Sequence, residues 1–115
     1  MKGESHMKFI LFFSLNPETV HHYMVNPGDR VGPVKALLKT VGGTLESYYW
    51  MLGPYDGFVI AQVPDAKAIA AVSMAVGSTG AFRRLESYEL LEPGDLEQIA
   101  RLAHESSAIY RPPGD

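Results

Sequence analysis

Tyr55 and Asp56 are adjacent in this chain and are of types suited to proton chemistry. A carboxylate can accept a proton, and a neighbouring phenol can orient the group that gives it. They sit within Gly53-Pro54-Tyr55-Asp56-Gly57, where proline and glycine set the backbone and an aspartate bonds nearby amides, so turn geometry alone accounts for the same residue types. Just upstream, Tyr48, Tyr49 and Trp50 suit either packing in a core or interface, or the wall of a cavity for a flat apolar ligand. Tyr49, Trp50, Tyr55 and Asp56 therefore form a candidate ligand-binding set, and no residue is assigned a catalytic role.

Two further candidates lie outside that stretch. His21 and His22 are neighbours, pointing about 100° apart on a helix, whereas metal ligands favour spacings of three or four. No metal site is expected from them, and His22 is retained as a polar group beside a cavity. Arg83 and Arg84 open a late strand on opposite faces, so one can pair with Glu46 or Glu86 or hold an anionic ligand. Arg83 joins the candidate set on that ground. There is no Ser/His/Asp order, phosphate loop or dinucleotide fingerprint, and no cofactor is expected.

The elements that must carry these residues can be read from periodicity. Lys8 to Leu15 is an apolar strand closed by Asn16-Pro17, and Asn16 is placed to cap a short helix over Pro17 to Met24. Asp29 then caps a helix whose Val31, Val34, Leu37, Leu38 and Val41 form one stripe, stopped by Gly42-Gly43. Thr44 to Leu52 and Gly57 to Val63 form a hairpin about the Gly-Pro-Tyr-Asp turn. Asp65 caps a second main helix with Ile69, Val72 and Val76 inward, ending at Gly77. Ala81 to Leu91 is the last strand, and Asp95 caps a terminal helix before a poorly ordered tail from Glu105.

Strand, helix, strand, strand, helix, strand is the α+β, ferredoxin-like plan: one antiparallel sheet with its two main helices on one face. In such a layout the strands should alternate apolar with polar. Phe9 to Phe13 and Phe58 to Ala61 do not; they are apolar on both parities. A face the helices leave open needs another cover, and a second copy of the chain is the most economical one. A homodimer, or a higher homo-oligomer, follows as the expectation, with a cavity between the two sheets. On the second strand, Tyr48 and Trp50 should share one face, and Leu45, Tyr49 and Met51 the other.

The same residues resemble the GYD domain family. Gly42-Gly43 after a helix, the aromatic strand ending in Tyr49-Trp50, the turn at Gly53, Tyr55 and Asp56, and Gly77 to Arg83 carry the resemblance, which spans roughly Met7 to Leu91. It implies membership among the dimeric α/β barrels, a family setting with no established biochemical activity. The loop with His21-His22-Tyr23 and the Pro27-Gly28 break departs from the family pattern.

Composition bounds the function. At 115 residues the chain suits one domain over residues 7–92, with 1–6 read as an expression scar and 93–115 as a terminal helix and tail. A net charge of -3 argues against a phosphate-neutralising nucleic-acid binder, and Asp56 stands where an RNA-recognition strand would need a basic residue before Gly57-Phe58-Val59. No apolar run approaches the roughly 20 residues of a membrane span. With zero cysteines the cytoplasm is the expected compartment. The leading expectation is a homo-oligomeric protein binding a small apolar or aromatic ligand. The alternative is a cofactor-independent isomerase or oxygenase acting on a small aromatic or lactone substrate, with Asp56, Tyr55 or His22 as acid or base.

Overall fold

A computed structural model describes residues 6–114. The expression-scar reading therefore lies outside the described residues, apart from His6, which is exposed. Strand β1 (Met7–Leu15) is central: it pairs antiparallel with β3 (Gly57–Val63) on one side and β4 (Phe82–Leu90) on the other. Strand β2 (Thr44–Trp50) pairs with β3, giving the order β2-β3-β1-β4. Helices α1 (Pro17–Val25) and α2 (Val31–Lys39) join β1 to β2, and α3 (Ala66–Gly77) joins β3 to β4. A short 3-10 turn over Pro93–Asp95 leads into α4 (Leu96–Ser107). This is the expected ferredoxin-like sheet, with an additional terminal helix.

The odd-numbered residues of β1 and β3 explain why α2 and α3 dock where they do. Phe9, Leu11, Phe13, Val59, Ala61 and Val63 all point to one face and form a single buried cluster with Leu38 of α2 and Ala68 and Val72 of α3. Alternation along a strand places successive side chains on opposite faces, so one parity makes the core. At the start of β3 the backbone passes so close to its neighbours that a Cβ on Gly57 would stand 2.5 Å from a Phe13 ring carbon and 2.6 Å from the Tyr49 carbonyl oxygen. Only glycine allows that approach.

The helix starts are satisfied in mixed ways. Asp65 accepts from the Ala68 amide at 3.1 Å, as its position suggested. The Asp29 carboxylate accepts from the amides of Val31 and Gly32, both at 3.0 Å, although Arg30 holds the cap position itself. Asn16 and Asp95 occupy cap positions but make no side-chain cap bond. The Asn16 amide donates to the Gly80 carbonyl instead, tying the end of β1 to the loop before β4.

Two irregularities correct the strand reading. Leu45 pairs with Ala61 but Ser47 with Ile60, so the register slips at Glu46. That bulge reverses the parity upstream of it and puts Leu45 on the helix face together with Tyr48, not on the Tyr49 face. A second slip pairs Ser14 with Arg84 but Leu15 with Phe82, which leaves Arg83 as the extra residue. The strand β2 also ends at Trp50, two residues before the expected Leu52.

Helix α4 departs most from expectation. It continues to Ser107, through the start of the segment expected to be poorly ordered, and closes in a turn where the Ile109 and Tyr110 amides bond the Ser106 carbonyl. No residue of α4 is buried, and Leu96 and Leu102 face outward. The radius of gyration is 18.1 Å, against about 13 Å for a compact chain near this length. The helix projects away from the domain.

Candidate functional site

Between the helix face of the sheet and helices α1, α2 and α3 lies a cavity of about 500 Å³. Phe9, Leu11 and Phe13 form its floor, Val34, Leu37 and Leu38 one wall, and Val72, Ala75 and Val76 the other. The space exists because α3 presents small side chains to the sheet and α1 buries no residue of its own. Trp50 stands at the edge, 49% exposed, with ring centroids 5.7 Å from Phe13, 5.7 Å from Tyr48 and 5.8 Å from Tyr23 of α1. Offset and edge-on contacts at these separations hold the rings in place without closing the space.

The polar part of the lining is small: Thr19, His22, Tyr23, Arg30, Tyr48 and Thr79. Thr19 donates to the Ala81 carbonyl at 2.9 Å, and the Tyr23 hydroxyl donates to the Gly28 carbonyl at 3.0 Å. Burial raises the Tyr48 hydroxyl above its ordinary pKa of 10.0, while the nearby Arg30 guanidinium pulls the other way by charge and hydrogen bonding. Among the described residues no aspartate or glutamate lines this cavity.

The opposite face carries a different cluster. Phe12 lies 5.2 Å from Tyr55, 6.0 Å from Phe58 and 6.2 Å from Tyr88, centroid to centroid, and Tyr49 lies 5.6 Å from Phe58. The hydroxyls of Tyr55 and Tyr88 both donate to one Glu86 carboxylate oxygen, at 2.7 and 2.8 Å. Those two bonds, the one from Tyr55 foremost, hold the Glu86 carboxyl below its ordinary value, and the same carboxylate raises both phenols. The Arg84 guanidinium sits 5.6 Å from the Tyr55 ring centroid. Glu46 pairs with a lysine and not with an arginine: Lys8 bridges Glu46 at 3.3 Å and Glu92 at 3.4 Å.

A third location is a shallow notch at the end of β1, lined by Leu15, Pro17, His21, Met24, Asp56 and Arg83, among others. There the Asp56 carboxylate accepts from the Leu15 amide at 2.7 Å while the Asp56 amide donates to the Phe13 carbonyl at 2.8 Å. Ser14 donates to the Pro54 carbonyl at 3.0 Å, so the turn is bound across the end of β1.

The six candidate residues thus divide among three places. Trp50 and His22 line the cavity, Tyr49 and Tyr55 belong to the outer face, and Asp56 and Arg83 meet at the notch. Tyr55 and Asp56 part company because the turn aims one side chain at Glu86 and the other at the Leu15 amide. Arg30, Thr19 and Tyr88 are additions. Tyr88 was accessible from its parity with Arg84 and Glu86; Arg30 had no signal beyond preceding the α2 stripe. Among the described residues no group of three histidines or acidic residues is arranged to hold a metal ion, and no helix is long and apolar enough to cross a membrane.

A model of the GYD domain matches residues 9–100 of this chain. Among solved structures, the chain is similar to the crystal structure of a dabb family protein with a ferredoxin-like fold from Mesorhizobium loti, at 10% identity and a TM-score of 0.44, covering 76% of this chain and 96% of that one. No curated protein matches.

Proposed function

The chain belongs to the GYD domain family, and from that footing we propose that it is a self-associating protein that binds a small apolar or aromatic molecule. The observation that carries the reading is the cavity of about 500 Å³ with its aromatic edge at Trp50. Ligand pockets are mostly apolar, with a few placed polar groups, and run to about 300–1,000 Å³. The site proposed lies between the sheet and helices of one chain, whereas the sequence points to a space between two sheets. Self-association is supported separately by Ile10, Phe12, Phe58 and Ile60, which are only half-buried on a face that no helix covers. A cytoplasmic setting fits the cysteine-free sequence.

The enzyme reading has less support. A carboxylate paired with a histidine would be expected in the cavity, yet Asp56 lies at the notch with an oxygen bonded to the Leu15 amide. Trp50, the single tryptophan, reports on occupancy directly. Titrating para-butylbenzamide into the protein should shift Trp50 emission with saturation, and Ala75→Phe, which fills the space, should abolish the shift while leaving the circular dichroism intact. An emission that does not move up to the solubility limit, together with a native mass spectrum showing only bare protein, overturns the binding reading.

A further inference from the structure

Resting on that cavity reading, we propose that the ligand is an amphipathic monoanion: a carboxylate on an aromatic or aliphatic body, its head held at the cavity edge by the Arg30 guanidinium and the Tyr48 hydroxyl. In a chain whose formal net charge is -3, the lining among the described residues holds an arginine and not a single carboxylate. Among the described residues the ion pairs are those of Lys8 and Arg101, so Arg30 is not neutralised by a side-chain partner. Its sequence neighbour Asp29 is turned elsewhere, with its two oxygens engaged by the Val31 and Gly32 amides.

The geometry suits a head-and-tail ligand. A guanidinium offers a planar fork of donors that matches a carboxylate in two parallel bonds, and it is always charged. Tyr48 lines the same cavity and contributes a further hydroxyl donor near Arg30. Below them the floor of Phe9, Leu11 and Phe13 and the wall of Leu37 and Leu38 offer nothing polar to a tail. Tyr23 positions the arrangement from α1: its ring packs on Trp50 and its hydroxyl holds the Gly28 carbonyl, two residues before Arg30. The competing explanation is that the Arg30 stem merely lies over apolar surface with its head in water.

Matched probes separate these cases. Calorimetric titration at neutral pH with para-butylbenzoate and para-butylbenzamide compares the same body with and without the charge. The benzoate should bind at least tenfold more tightly, since a hydrogen bond to a charged group contributes about 1.5–3 kcal/mol, or roughly 10- to 150-fold. Arg30→Gln should remove that advantage and leave the amide within about twofold, and Tyr48→Phe should remove a smaller part of it. Equal binding of the two probes by the parent protein overturns the anion inference and leaves the cavity reading standing. Failure of both probes overturns the cavity reading itself, and an Arg30→Gln protein that keeps the full benzoate preference assigns the head to another group and overturns the inference.

Discussion

Along β1, Phe9, Leu11 and Phe13 alternate with Ile10 and Phe12, and the two sets are equally apolar. Their surroundings are not equal. The odd set is 1–6% exposed beneath α2 and α3, whereas the even set is half-buried on a face that meets no helix. Apolar composition fixes that both faces seek cover; which elements can reach each face decides what they get. The helix face is covered imperfectly and keeps a space, with its polar groups at the edge. The outer face is uncovered in the single chain and is framed by polar clusters, Lys8 with Glu46 and Glu92 at one end and Tyr55, Glu86 and Tyr88 at the other.

Substitutions on the two faces of β1 test that contrast most strongly. Phe9→Ala should lower the unfolding free energy by about 3–5 kcal/mol, the usual cost of emptying a buried phenylalanine site. Phe12→Ala should cost less and, on the proposal that a second chain covers this face, its cost should grow with protein concentration. Urea unfolding at two concentrations measures both. Equal and concentration-independent losses would erase the distinction between the faces.

Ile60→Lys probes the outer face from the association side. A lysine in the middle of the outer face should reduce self-association by about two orders of magnitude, as an unpaired charge buried in an interface costs several kcal/mol, while the fold of the single chain persists. Sedimentation shows the change in mass and circular dichroism shows the retained fold. Parent protein that sediments as a monomer at micromolar concentration would remove the need for any cover.

Much of this layout was legible in the sequence. The double-parity apolar runs of β1 and β3 announced a sheet with two demanding faces, and the helical stripe ending at Gly42-Gly43 placed α2 against one of them. The bulge at Glu46 was not legible, because neither Glu46 nor Ser47 carries the glycine or proline that usually marks one. Strict alternation therefore put Leu45 on the wrong face. The cavity escaped for a different reason: an unfilled volume is a small difference between the positions of whole elements, and no local pattern encodes it. The candidate site divided because adjacency in a turn says little about direction, and Tyr55 and Asp56 point to separate places.

Three tyrosines with raised pKa values extend the comparison to titration. For Tyr48 burial is the leading cause, so the neutral phenol is favoured in the folded chain. Stability should be level below its ordinary value of 10.0 and fall as pH rises from there through the folded value, since the unfolded chain releases that proton first. Tyr48→Phe should flatten this alkaline loss, measured as urea midpoints across the basic range. An unchanged slope would mean that Tyr48 is not the buried phenol of the helix face.

On the outer face the leading cause is a partner, Glu86, and not burial. Glu86→Gln should therefore return the Tyr55 and Tyr88 titrations toward their ordinary value of 10.0 while leaving that of Tyr48 raised, as tyrosinate absorbance would report. The sign at acid pH is opposite. Glu86 is held below its ordinary 4.5, so the stabilisation it gives is present above that value and fades as pH falls through the lower folded one. Tyr88 is exposed and Tyr55 and Glu86 are only half-buried, so the stability change should be small and the spectroscopic change is the informative one. Should Glu86→Gln also return the Tyr48 titration toward 10.0, the two faces would be electrostatically coupled through the sheet, and treating the cavity and the outer cluster as separate sites would be wrong.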